Sequence, residues 1–151
     1  MIAIDRATPE EAERILSLQR LAYRSEAALY DDRTIPPLTQ TLPSLREELG
    51  RKVVLAARDG TILVGSARGF VHEGTGSIER LIVHPDWQRR GIGTRLMAEM
   101  EAALRPVRRY ELFTGHLSVR NLAMYERLGY VPFKRERVSP RVELVYLEKP
   151  A

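Results

Sequence analysis

Residues 81–94 read Leu-Ile-Val-His-Pro-Asp-Trp-Gln-Arg-Arg-Gly-Ile-Gly-Thr, and few folds accommodate such a stretch. Leu81, Ile82 and Val83 are apolar at successive positions, so a strand through them is covered on both faces and belongs near the centre of a sheet. His84, Pro85, Asp86 and Trp87 break that strand, and Gly91 opens a helix. Along this helix Ile92, Leu96, Met100 and Leu104 recur every four residues, ending before Pro106. The first turn of a helix carries backbone N–H groups without intrahelical partners, and the helix dipole adds partial positive charge there. Glycines let the backbone close around a bulky anion, a geometry that suits a pyrophosphate. Two phosphate-binding loops are excluded. A Walker A loop needs a Gly-Lys pair, which is absent. A dinucleotide fingerprint needs a third glycine at position 96, where this chain has Leu.

The rest of the chain supplies neighbours for that strand. Residues 2–7 alternate apolar and polar as a short strand does. Thr8 precedes Pro9-Glu10-Glu11, a capping hydroxyl, a proline and first-turn acids that predict a helix reaching Tyr30. Residues 31–43 contain Pro36, Pro37 and Pro43 and read as a loop, followed by a short helix over 44–49 that Gly50 ends. Strands over 52–58 and 61–71 meet at Asp59-Gly60, a hairpin turn, and Gly74-Thr75-Gly76 leads into a strand over 77–83. A strand over 110–114 follows the glycine helix. Next comes a helix through Val119, Leu122, Tyr125 and Leu128, ended by Gly129, and then a hairpin of strands over 131–137 and 142–147. This order predicts one α/β domain over residues 1–151 with a mixed sheet rather than an all-parallel one.

The chain has 151 residues and no cysteine, which excludes disulfides, thiolate metal sites and a covalent cysteine intermediate. Its three histidines show no ligand spacing such as H-x-x-x-H, so no metal is expected. No apolar run approaches the ~20 residues that span a bilayer. The start, MIAIDRATPEEAERIL, lacks the basic and apolar parts of a signal peptide. A cytoplasmic protein without membrane contact is expected. The net charge is +4, with 21 Arg against 3 Lys. These arginines are dispersed, whereas a nucleic-acid surface would cluster them among aromatics. The expected anionic partner is a small molecule and not nucleic acid.

Gln88-x-x-Gly91-x-Gly93 after a V-x-P-D strand exit resembles the acetyl-coenzyme A signature of the GNAT superfamily of N-acyltransferases. Asn121-Leu-Ala-Met-Tyr125-Glu-Arg-Leu-Gly129-Tyr130 is similar to the N-x-x-x-Y-x-x-x-G-[FY] helix of the same family. The element order agrees, so the resemblance covers essentially the whole chain. It implies the GNAT fold, an α/β fold whose mixed, mostly antiparallel central sheet is flanked by helices and splayed at its central strands, with acetyl-CoA as cosubstrate in the gap. The implied reaction is acetyl transfer to a primary amine of a small molecule or peptide by direct attack in a ternary complex. The missing cysteine favours that direct route over a thioester intermediate. A non-catalytic acyl-CoA-binding module is the alternative, and the resemblance also admits a homodimer.

The resemblance assigns roles residue by residue. Backbone groups of Leu81, Ile82 and Val83 would pair with the pantetheine arm, with the Val83 N–H at the oxyanion. Amides of Arg89, Arg90, Gly91, Ile92, Gly93 and Thr94 would hold the pyrophosphate, while the side chains of Arg89 and Arg90 either touch phosphate or stay solvated. Tyr125 would protonate the departing thiolate; without the family pattern it reads as a core aromatic. Either Ser118 or Asn121 would contact the coenzyme, Asn121 being equally suited to starting the helix. For the general base, Glu79 ranks ahead of His116: alternation would put it on one face with Leu81 and Val83. His84 reads as a turn residue. Acceptor specificity would lie in Tyr23, Glu26, Tyr30, Asp31, Asp32 and the loop through Gln40. Asp31 and Asp32 either attract an ammonium group or form an exposed turn.

Overall fold

The computed structural model describes residues 1–151. Its strands are β1 (Ile2–Arg6), β2 (Val53–Asp59), β3 (Ile62–His72), β4 (Thr75–Val83), β5 (Arg109–Gly115), β6 (Val131–Arg137) and β7 (Glu143–Pro150). Its helices are α1 (Ala12–Tyr30), α2 (Pro36–Thr39), α3 (Leu42–Arg51), α4 (Ile92–Leu104) and α5 (Val119–Arg127), with 3-10 turns at Pro9–Glu11 and Pro85–Trp87. The strands form one seven-stranded sheet in the order β1-β2-β3-β4-β5-β7-β6. Every neighbouring pair is antiparallel except β4 and β5. No helix is long and apolar enough to cross a membrane.

Alternation along the strands sorts side chains into two layers. On β2, Leu55 and Ala57 join a cluster with Leu96, Met100 and Leu104 of α4 and Tyr125 of α5. Val54 and Ala56 point the other way, onto Ile15 and Leu18 of α1 and Leu45 of α3. The sheet is therefore covered on both faces, as the apolar run at its centre requires. Gly69 is the point of closest approach to α4: a Cβ there would stand 2.7 Å from the Met100 sulfur.

Three local expectations are corrected. Residues 31–43 are not an irregular loop throughout: α2 lies within them, and α3 starts at Leu42, capped by the Thr41 hydroxyl, which accepts the Ser44 N–H at 3.3 Å. The prolines begin these helices because the first turn has no use for the N–H that proline lacks. Gly50 does not end α3, which continues to Arg51. The third correction decides the site. The β3–β4 register shifts between Ser66 and Arg68, so that Arg80 and Leu81 together oppose Ala67, with Arg80 at φ 52°. This β-bulge reverses the alternation of β4. Beyond it Leu81 and Val83 pack against the α4 cluster, while Ile82 turns to α1. Glu79, before the bulge, is thus on the face opposite Leu81 and Val83, beside its β3 partner Arg68.

Candidate active site

β4 and β5 pair only through residues 75–77 with 109–111. From Ile78 onward β4 has no strand partner on that edge, and the sheet splays there. Backbone polar groups at such an edge need partners, and an extended ligand can supply them as an added strand would. A cavity of about 1300 Å³ opens at the splay, lined by Leu81, Ile82 and Val83 of β4 on one side and by Phe113 and Thr114 of β5 on the other.

The glycine turn forms the next part of the wall. The His84 Nδ1 accepts the Asp86 N–H at 3.0 Å and so tightens the 3-10 turn. Gly91 takes φ 78° as the N-cap of α4, a conformation that favours glycine. A Cβ on Gly91 would meet no protein atom within 4 Å, so the turn faces open space. The first N–H to bond within α4 is that of Arg95, to the Gly91 carbonyl at 3.1 Å. Arg89, Gly91, Ile92, Gly93 and Thr94 line the cavity. Arg90 does not: its guanidinium lies over the Trp87 ring at 5.7 Å and donates to the Asp86 carbonyl at 3.2 Å. An unpaired strand edge leading to a helix N-terminus with free N–H groups fits an acyl-CoA, whose pantetheine arm is extended and whose pyrophosphate is anionic.

Tyr125 projects from α5 and is buried, with its ring edge-on to Tyr130 at 6.2 Å. It belongs to the core cluster and also to the cavity wall. Its hydroxyl bonds to no protein group yet is not sealed off, so it opens into the cavity. Burial, with added repulsion from Tyr23 and Glu26, pushes the phenol above its ordinary range.

Ser118 and Asn121 both line the cavity, and both are turned toward Glu26 on α1. The Ser118 hydroxyl donates to the Glu26 Oε2, and Asn121 Nδ2 lies 3.5 Å from Oε1. Tyr30, also on the wall, reaches Ser118 Oγ at 3.1 Å and accepts the Leu117 N–H at 3.1 Å. Asp32 is on the wall too, accepting the N–H and O–H of Thr34 at 2.9 and 2.6 Å. These bonds hold its carboxyl below the usual range.

Besides Arg90, three of the residues singled out for the site from the sequence lie off the wall. Asp31 is the left-handed C-cap of α1 and engages Arg141. The His116 Nδ1 accepts the Glu143 N–H at 3.0 Å, and its ring packs on Tyr30 at 5.5 Å. Gln40 is drawn into a buried network that the sequence did not reveal. At its centre Arg68, 1% exposed, donates to Gln19 Oε1 at 2.8 Å and Gln40 Oε1 at 3.0 Å, with Glu48 at 3.2 Å. Lys52 joins Glu48, at 2.8 Å, to Glu79. Burial opposes the ionised form of Glu48, but Lys52, Gln40 and Arg68 together hold its carboxyl below the usual range. Two cations and two carboxylates balance, so the network is neutral. Glu79 therefore lines the cavity with its carboxylate already ion-paired.

Comparison with known proteins agrees with this geometry. No curated protein matches the chain. Among solved structures, the ribosomal-protein-S18-alanine N-acetyltransferase of Escherichia coli superposes with a TM-score of 0.84 at 18% identity, covering 99% of this chain and 94% of that one. The PaiA N-acetyltransferase of Thermoplasma acidophilum, in complex with coenzyme A, gives 0.83 at 17% identity, covering 100% and 99%. The ribosomal-protein-alanine N-acetyltransferase of Brucella melitensis gives 0.76 at 19% identity, covering 99% of each chain. At these identities the likeness is one of fold. The family assignment comes from the profile of the acetyltransferase (GNAT) family, which matches residues 12–130. It takes in the glycine turn, the open edge of β4 and Tyr125, and the chain belongs to the GNAT family of acetyltransferases.

Proposed function

We propose that the chain transfers the acetyl group of acetyl-CoA to a primary amine of a small molecule or peptide, by direct attack within a ternary complex. The observation that carries this reading is that one cavity unites the two halves of such a reaction. Its wall includes an open strand edge and glycine turn suited to an acyl-CoA, a free tyrosine hydroxyl, and the carboxylates of Glu26 and Asp32. Two proteins of similar fold are named for acetylating an alanine of a ribosomal protein, which supports an amine acceptor.

Direct transfer asks three things of the protein: a deprotonated amine, a donor for the developing oxyanion, and a proton for the departing thiolate. Backbone N–H groups along β4, that of Val83 foremost, serve the second requirement. Tyr125 serves the third, since its environment keeps the phenol protonated. The test is thermal unfolding with and without acetyl-CoA, alongside CoA release in the presence of amines. Ligand at 100 times its dissociation constant should stabilise the fold by about 2.7 kcal/mol. No shift in melting temperature at millimolar acetyl-CoA refutes the reading, and a shift without CoA release on any amine favours a non-catalytic acyl-CoA-binding module.

A further inference from the structure

Three carboxylates line the cavity, and two are already satisfied. Glu79 is paired with Lys52, and Asp32 is occupied by its own turn with Thr34. Glu26 differs from both. It takes part in no ion pair, and the last turn of α1 brings no basic residue near it. Its two partners, the Ser118 hydroxyl and the Asn121 amide, are neutral.

Those partners are rigidly placed. Ser118 has a single proton, which goes to the Glu26 carboxylate. The Tyr30 hydroxyl therefore gives its own proton to Ser118 Oγ, and accepts the Leu117 N–H in turn. The chain of donors runs one way, from the backbone of Leu117 through two buried hydroxyls to the carboxylate. Charge-assisted bonds of this kind fix the orientation of an acceptor. A half-buried carboxylate on a cavity wall whose hydrogen-bond partners are both neutral is complementary to a cation; Arg80, Arg89, Arg120 and Arg127 share that wall, and none of them pairs with it. It also shares its part of the cavity with the reacting phenol. The negative charge of Glu26 adds to burial in pushing the Tyr125 phenol above its ordinary range.

We propose that Glu26 receives the acceptor as an ammonium ion and takes the proton the amine must lose before attack, which makes the acceptor a cationic primary amine. The proposal rests on the acetyl-transfer reading above. An N–H bond of the ammonium breaks and its proton passes to a Glu26 carboxylate oxygen. The nitrogen lone pair forms the C–N bond at the thioester carbonyl. As the tetrahedral species collapses, the C–S bond breaks, Tyr125 gives its proton to sulfur, and the phenolate regains a proton from the nitrogen. Glu26 then releases its proton to solvent, so one ammonium and one thioester yield one amide, one thiol and one proton. Ser118 and Tyr30 are positioning residues in this scheme.

The test uses the full chain, acetyl-CoA and four amine probes: 1,4-diaminobutane, alaninamide, N-acetyl-lysinamide and a tripeptide with a free N-terminal alanine. A thiol reagent reads CoA release without interference because the chain has no cysteine. At least one probe should be acetylated, and Glu26→Gln should lower kcat/KM for it at least 100-fold while keeping the gain in melting temperature from acetyl-CoA. Glu26→Asp should restore part of the lost rate. If Glu26→Gln stays within threefold of the parent, the proposal for Glu26 fails and the transfer reading stands. If the variant loses the acetyl-CoA gain along with the rate, Glu26 is structural and the proposal also fails. A parent chain that gains stability from acetyl-CoA but acetylates no probe overturns the cationic-amine assignment. A parent that does neither overturns the transfer reading itself.

Discussion

The hydroxyl of Tyr30 fills the space beside Gly115: a Cβ on residue 115 would stand 1.8 Å from the phenolic oxygen and 2.5 Å from the ring carbon that bears it. Gly115 ends β5 on the far side of the splay, and Tyr30 ends α1. The glycine thus lets the helix reach across the cavity and anchor Ser118.

Gly115→Ala should therefore act on the acceptor side of the reaction. The added methyl displaces the Tyr30 ring, breaks the donor chain to Glu26, and should cost about 1–3 kcal/mol of stability as overpacking does. We expect kcat/KM for the amine to fall while the stabilisation by acetyl-CoA is retained. Tyr30→Phe in the same background should relieve only part of the clash, since the ring carbon still stands 2.5 Å from the added methyl, and should not recover rate, because the hydrogen bonds leave with the oxygen. Stability curves and steady-state kinetics of the two variants check this.

Glu79 and Glu26 are separable by experiment. Glu79→Gln removes one of the two carboxylates on Lys52, which keeps its bond to Glu48, so a stability loss of about 1–3 kcal/mol is expected for the charged hydrogen bond. The acidic limb of the pH–rate profile should stay where it is. A displaced limb in Glu79→Gln, with Glu26→Gln unaffected, would assign proton removal to Glu79.

What was legible in the sequence was local. The run at Leu81, Ile82 and Val83, the turn at Gly91 and the helix bearing Tyr125 each declare themselves within a few residues, and they carried the fold and the side of the cavity that the glycine turn forms. The bulge at Arg80 escaped, because nothing in the sequence marks a non-glycine residue that takes φ 52°. Simple alternation consequently put Glu79 on the wrong face. The hydrogen-bond networks around Glu26 and Arg68 escaped for another reason. Tyr30 and Ser118 are 88 residues apart, and Arg68 and Gln19 are 49 apart. Which polar groups satisfy one another across such distances is fixed by packing, and a hydroxyl or amide reads the same in sequence whether it is exposed or buried.

The N-terminus offers a prediction about stability alone. Glu11 is buried at the start of α1, accepts from the Thr8 N–H at 2.8 Å and from Arg58 Nε at 2.8 Å. The Arg58 guanidinium holds its carboxyl at about 2, below the ordinary 4.5, against the opposing effect of burial. A carboxyl depressed on folding stabilises the fold above its unfolded value and loses that contribution as pH falls toward its folded value. The difference corresponds to about 3 kcal/mol at neutral pH. Glu11→Gln should be destabilised by a comparable amount at pH 7. The gap to the parent should close between about pH 4.5 and pH 2, as measured by denaturant unfolding across that range.

Tyr125 tests the chemistry itself. Because burial pushes its phenol above the ordinary range, the proton it would donate is present throughout the accessible pH range, and the basic limb of the parent's pH–rate profile should not report its loss. Tyr125→Phe keeps the ring that packs against Tyr130, so the fold and the stabilisation by acetyl-CoA should survive. Loss of a positioned general acid should lower kcat by about 10²- to 10⁴-fold. The deficit should shrink with an acetyl thioester whose thiol is more acidic, since a better leaving group needs less help from a proton. Unchanged kcat in Tyr125→Phe would leave the tyrosine a packing residue, and the proton for the thiolate would then have to come from water in the cavity.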